Sequence, residues 1–145
     1  MKRIFCIFWL AAMLAGCSSL NQPTAQVLAA PKRDLELNEK LALSPLFATK
    51  LKDPTAAQFK WLPVVLVERE GVTDYCGLVN GRNSYGGYTG FVRFYAQLVK
   101  DDKGSFTRGL LREIEPPNRE PNPLDPRWLN GICEKFGYEE FSLAR

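Results

Sequence analysis

Tyr75-Cys76-Gly77-Leu78-Val79-Asn80-Gly81-Arg82-Asn83-Ser84-Tyr85-Gly86-Gly87-Tyr88-Thr89-Gly90-Phe91-Val92-Arg93-Phe94 reads as strand, loop and strand. Val72 to Val79, entered from the turn at Glu70-Gly71, is the first strand, and Phe91 to Val99 has the aromatic and β-branched content of a second long strand. Between them, Asn80-Gly81 and Gly86-Gly87 supply positions that tolerate positive φ, so the chain can reverse there. Lys100 to Ser105 is a polar turn containing Gly104, and Phe106 to Ile114 continues the pattern as a weaker third strand. An antiparallel sheet is the expected centre of the fold.

Upstream, Glu70-Gly71 marks a turn, and Leu62 to Glu68 reads as one buried strand feeding it. Asp53-Pro54 has the form of a helix start, with Asp as N-cap and Pro at the first helical position, predicting a short helix to about Lys60 that packs Leu51, Ala56 and Phe59 inward. Leu35, Leu37, Leu41, Leu43, Leu46 and Phe47 surround Asn38, Glu39 and Lys40. That pattern predicts a short amphipathic helix or two, interrupted at Ser44-Pro45 and packed on the domain's own core. A helix lying on lipid is the alternative, weakened by the few basic residues in the segment. Downstream, Glu115 to Pro126 contains five prolines and reads as an extended surface loop. Asp125-Pro126 then repeats the cap signal and opens a C-terminal helix through Trp128, Leu129, Ile132, Cys133 and Phe136. The predicted class is α+β: a small antiparallel sheet packed with short N-terminal helices and a C-terminal helix.

The chain begins with Lys2 and Arg3, a run of about eleven apolar residues from Ile4 to Leu14, and then Ala15, Gly16 and Cys17. Crossing a bilayer as a helix takes roughly twenty apolar residues, so the run fits a secretory signal. Leu14-Ala15-Gly16-Cys17 resembles the lipobox of bacterial lipoproteins, in which the chain is cut before the cysteine and the cysteine becomes the lipid-bearing first residue. The resemblance implies a signal peptide over 1–16 and an acylated Cys17, with the membrane as a partner through that anchor. Such lipoproteins are held at the inner membrane by an Asp after the cysteine; Ser18 stands there instead, which implies the periplasmic face of the outer membrane. Ser18 to about Arg33 is small, polar and Pro-interrupted, so residues 17–34 are expected to be a tether and 35–145 one globular domain.

With Cys6 lost in the signal and Cys17 acylated, the cysteines that remain are Cys76 and Cys133. In an oxidising compartment such a pair is expected to form a disulfide, closing a loop of roughly 57 residues at a gain on the order of 4 kcal/mol. A redox-active or metal-binding pair would need the cysteines close in sequence or joined by further ligands. Histidine is absent, which excludes Ser-His-Asp and Cys-His catalysis and His-based metal sites. No cofactor is expected. Loss of Lys2 and Arg3 leaves an excess of one positive charge, which is not the balance of a nucleic-acid binder.

Asp53-Pro54-Thr55-Ala56-Ala57-Gln58-Phe59 and Cys76-Gly77 through Gly90-Phe91 resemble a recurrent small secreted or lipid-anchored bacterial domain with the words DP-small-small-x-F and CG-x-VN-x-x-N-x-x-GGY-x-G-F. The resemblance covers about forty residues and implies a fold unit, with the Pro-rich loop and C-terminal helix as additions. Within it, Asn80, Arg82, Asn83, Ser84, Tyr85 and Tyr88 could bond and stack against a sugar, peptide or protein surface. The other reading is a Gly-rich turn whose side chains satisfy their own backbone. Trp61 and Trp128 are expected in the core. Glu68/Glu70, Asp101/Asp102 and Glu139/Glu140 look like solvated turns or ends. The expected role is a non-enzymatic contact module of the envelope, with an envelope protein or peptidoglycan as partner; an inhibitor of a secreted hydrolase such as lysozyme is the alternative, and a carboxylate-based glycan hydrolase ranks third.

Overall fold

The computed structural model describes residues 24–116 and 129–138. The signal, Cys17, Trp128, most of the Pro-rich loop and Glu139/Glu140 lie outside those residues. The elements are α1 (Ala25–Leu28), β1 (Lys32–Arg33), α2 (Leu37–Ala48), a 3-10 turn (Pro54–Ala56), β2 (Gln58–Lys60), β3 (Val64–Val65), β4 (Glu68–Arg69), β5 (Val72–Asn80), β6 (Val92–Lys100), β7 (Phe106–Ile114) and α3 (Leu129–Lys135). This is an antiparallel α+β fold with one disulfide, as expected.

The three long strands form a meander, β5-β6-β7, and β2 and β4 share the outer edge of β5 at its two ends. Turn chemistry sets the register. Glu70 and Gly71 both take positive φ (52° and 80°), the pairing a two-residue hairpin requires, and Gly104 (82°) turns β6 into β7. Successive strand residues face opposite sides. Tyr75, Phe94 and Leu98 therefore join Leu43 and Phe47 of α2 in one buried layer, with Phe47 and Phe94 ring centroids 5.4 Å apart. On the opposite side Cys76 bonds Cys133 of α3, and Tyr95 stacks on Phe136 at 5.7 Å.

Two glycines make this packing possible for lack of a side chain. A Cβ on Gly109 would lie 2.9 Å from the Phe47 ring, and one on Gly77 would lie 2.7 Å from the ring of Phe94, its cross-strand partner. The Phe94 ring thus covers the strand where Gly77 leaves it bare. Gly77→Ala is expected to cost about 1–3 kcal/mol through displacement of that ring, read as a lower urea midpoint at unchanged m-value.

Several expectations need correction. Helix α2 is continuous through Pro45. Pro45 is exposed, so water can serve the Leu41 carbonyl that loses its amide partner, and Ser44 Oγ donates to Lys40 O at 2.6 Å beside it. The Asp53-Pro54 cap opens one 3-10 turn, with Asp53 Oδ1 accepting from Ala56 N, and residues up to Lys60 form strand β2 instead of helix. The expected strand from Leu62 to Glu68 is broken. At Leu62 the chain leaves the sheet, its N–H donating to the Tyr75 hydroxyl at 2.9 Å and its carbonyl accepting from it at 3.0 Å, and Val64–Val65 pairs with β1. Folded structure also starts before residue 35: Val27 is buried in the core, and Lys32 Nζ donates to Gly137 O. The stretch from Ala25 onward is therefore part of the domain rather than of the tether.

One buried charge ties the helix to the sheet. Glu39 is fully buried, and its carboxylate accepts from Arg33 Nη1 and Nη2 (2.8 and 2.6 Å), Glu36 N (2.8 Å) and Phe106 N (2.8 Å). Both oxygens are thus satisfied twice. Burial pushes this carboxyl up, but the bonds from Arg33 and the two amides, with the guanidinium charge, outweigh it and hold it at about 2.

Candidate functional site

The loop joining β5 to β6 is a small hairpin of its own, closed by an isolated bridge between Arg82 and Tyr88. Two of its residues spend their side chains internally. Asn80, at the end of β5, is buried, donates to Gln58 Oε1 at 3.1 Å and accepts from Gly90 N at 3.0 Å. Asn83 Oδ1 accepts from Tyr85 N (2.9 Å) and Gly87 N (3.0 Å), which shapes the tip.

Arg82 and Tyr88 brace the hairpin against the 3-10 turn. The Arg82 guanidinium sits 5.2 Å from the Tyr88 ring centroid and 3.9 Å from the Asp53 carboxylate, and the Tyr88 hydroxyl donates to Ala56 O at 3.2 Å. The Thr55 hydroxyl, the Ala56 amide and the Arg82 charge together keep the Asp53 carboxyl below the usual range. Lys52 Nζ donates to Ser84 Oγ, which fixes the other flank of the loop. Tyr85 is different: it is 97% exposed, and its ring has no partner among the described residues. Of the six loop residues singled out from sequence, Asn80 and Asn83 hold the loop together, Arg82 and Tyr88 brace it, Ser84 accepts from Lys52, and the Tyr85 ring has no partner among the described residues.

Beside the hairpin lies a cleft of about 660 Å³, bounded by the segment after α2, the loop and the end of β7. Leu51, Val92, Ile114 and Pro116 supply apolar surface. Lys50, Lys52, Arg82 and Arg112 supply cations at its edge. Lys50 Nζ reaches Arg112 O at 3.1 Å, and Arg112 is steadied by Gln97 Oε1 at 2.8 Å. Two carboxylates also line the cleft. Glu115 is already held by Arg93, whose Nη1 approaches both its oxygens at 3.1 and 3.2 Å in a buried pair, whereas Glu113 is exposed. Positive charge therefore predominates at the rim.

The remaining sequence candidates fall elsewhere. Trp61 stacks on Phe59 at 4.9 Å and packs on the core cluster. Glu68 pairs with Lys100 at 3.0 Å, and Asp101 caps the β6-β7 turn through Lys103 N and Ser105 N. Among the described residues, no three Cys, Asp or Glu side chains converge as metal ligands, and no helix is long and apolar enough to cross a membrane. Sequence reasoning missed Lys50, Lys52 and Arg112, which meet only through the tertiary fold. It also missed Glu39, although Glu36-x-x-Glu39 at a helix start is the spacing of a reciprocal cap.

Residues 1–18 match the family model of the prokaryotic membrane lipoprotein lipid attachment site. The match includes Cys17 and supports a bacterial lipoprotein held at a membrane by its lipid anchor. No curated protein and no solved structure matches the chain.

Proposed function

We propose that this lipoprotein is a non-enzymatic contact module on the periplasmic face of the outer membrane, acylated at Cys17, and that its cleft takes an acidic segment of an envelope protein. The membrane assignment rests on Ser18, which stands where an Asp would favour inner-membrane retention. The resemblance of its CG-x-VN segment to a recurrent small domain adds a fold unit and no chemistry. The observation that carries the reading is the cleft: an apolar floor rimmed by Lys50, Lys52, Arg82 and Arg112, next to a rigid hairpin presenting Tyr85. Exposed aromatic rings near cationic rims are common anchors in protein contacts, and such charges raise association rate and select for acidic partners.

The test is site-directed photo-crosslinking from position 85 in the intact envelope. The expected outcome is a discrete protein adduct through an acidic segment, lost on raising salt. The double variant Lys52→Gln/Arg82→Gln should weaken the purified pair about tenfold or more, with only a small fall in the thermal midpoint from loss of the exposed Arg82–Asp53 pair. Binding indifferent to both changes would rule out the cleft. If the soluble domain instead lowered lysozyme turnover at micromolar concentration, the inhibitor reading would replace this one.

A further inference from the structure

Three of the cations around the cleft have no opposite charge to answer them. Lys50 Nζ donates to Arg112 O at 3.1 Å, Lys52 Nζ donates to Ser84 Oγ, and Arg112 Nε donates to Gln97 Oε1 at 2.8 Å. Each of those acceptors is neutral, and among the described residues none of the three cations forms an ion pair. Arg82, the fourth, already faces Asp53. Glu113, although it lines the cleft, is exposed and pairs with none of them. The neutral bonds therefore steady three side chains without cancelling their charge, which lowers the ordering cost an arriving anion has to meet.

The two lysines are drawn to different walls. Lys50 reaches the end of β7 and Lys52 reaches the hairpin, while Leu51 between them belongs to the apolar floor. Gly81 keeps that floor open: a Cβ there would lie 3.4 Å from Leu51, so a longer side chain would cover it. A cleft of about 660 Å³ encloses a few side chains rather than a protein face. We propose that the acidic segment it takes is bipartite. A large apolar side chain seats on Leu51 beside Gly81, and the carboxylates that bracket it meet Lys50 and Arg112 at the β7 wall and Lys52 at the hairpin wall. The proposal rests on the reading of this cleft as the contact site and adds what the partner must carry. A wholly acidic segment would leave the floor uncovered, and a wholly apolar one would strip water from cations with nothing in exchange.

The experiment uses the full lipidated protein in phosphatidylcholine nanodiscs and three immobilised heptapeptides, read by biolayer interferometry. The first carries a phenylalanine between two glutamates, the second has serine in place of the phenylalanine, and the third has glutamine in place of both glutamates. The first should bind about tenfold or more tightly than either control. Lys50→Gln/Lys52→Gln should erase its advantage over the glutamine peptide, and Gly81→Leu its advantage over the serine peptide; the serine peptide tests the apolar seat even if Gly81→Leu fails to fold. Equal binding of the serine peptide would overturn the bipartite partner while leaving an acidic contact standing, whereas equal binding of the glutamine peptide would overturn both. Binding of none of the three, with the crosslinked adduct from position 85 still formed in the envelope, would overturn the inference and spare the reading beneath it. Tighter binding of decanoate, measured by competition, would assign the cleft to a small amphiphilic anion and overturn both.

Discussion

Glu39→Gln is expected to lower the stability of the domain by about 3 kcal/mol at pH 7 and to flatten its acid limb. The carboxyl sits at about 2 in the folded chain, against about 4.5 when free, and each unit of difference corresponds to about 1.4 kcal/mol. The unfolded chain takes up this proton first as pH falls. The contribution is therefore fully present above about pH 5 and disappears through pH 2. Glutamine keeps the shape and one acceptor but removes the charge that Arg33, Glu36 N and Phe106 N converge upon. The thermal midpoint should fall on the order of 10 °C at neutral pH, and the two proteins should converge near pH 2. Acid unfolding curves that run parallel from pH 6 to 2 would contradict this account.

A comparable loss is expected from Cys76→Ala/Cys133→Ala. The bond closes a sequence separation of 57 residues, and releasing that constraint on the unfolded chain costs about 4 kcal/mol. The effect should be local before it is global. Helix α3 has seven residues, too few to hold as an isolated helix, and without sulfur its attachments among the described residues include buried Leu129, the Phe136 stack on Tyr95, the Lys32 bond to Gly137 O and the Tyr138 hydroxyl, which accepts from Val65 N and donates to Asp74 O. Amides 129–138 should therefore exchange faster in the variant than those of β5-β7. A urea midpoint insensitive to reductant would show that the bond contributes little.

The meander was legible because its signals are local. Glu70-Gly71 and Gly104 sit where the turns need them, and the strands between carry β-branched and aromatic residues. What escaped reading was decided by tertiary partners. In α2 a carboxylate is buried and leucines are exposed, the reverse of an amphipathic face, because Arg33 and Phe106 N arrive from elsewhere to receive the charge. The Asp53-Pro54 cap was correctly placed, yet Gln58–Lys60 found an edge of β5 and became strand, since ladder pairing outweighs a short helix's weak propensity. Asn83 and Tyr85 look alike in sequence as loop contacts. Only the fold shows that one closes its own turn and the other points outward. The basic cleft had no sequence pattern, because its cations come from three separate segments.

The two ends of the fold meet. Lys32 bonds the carbonyl of Gly137 across 105 residues of chain, a Cβ on Gly137 would lie 2.9 Å from Val27, and Tyr138 bridges Val65 and Asp74. A chain emerging from the N-terminus onward therefore lacks the last pieces of this core until residues 137 and 138 have been made. During that interval the hairpins can form but the two ends of the core stay open. Synthesis order thereby places closure of the core after formation of the hairpins that it joins.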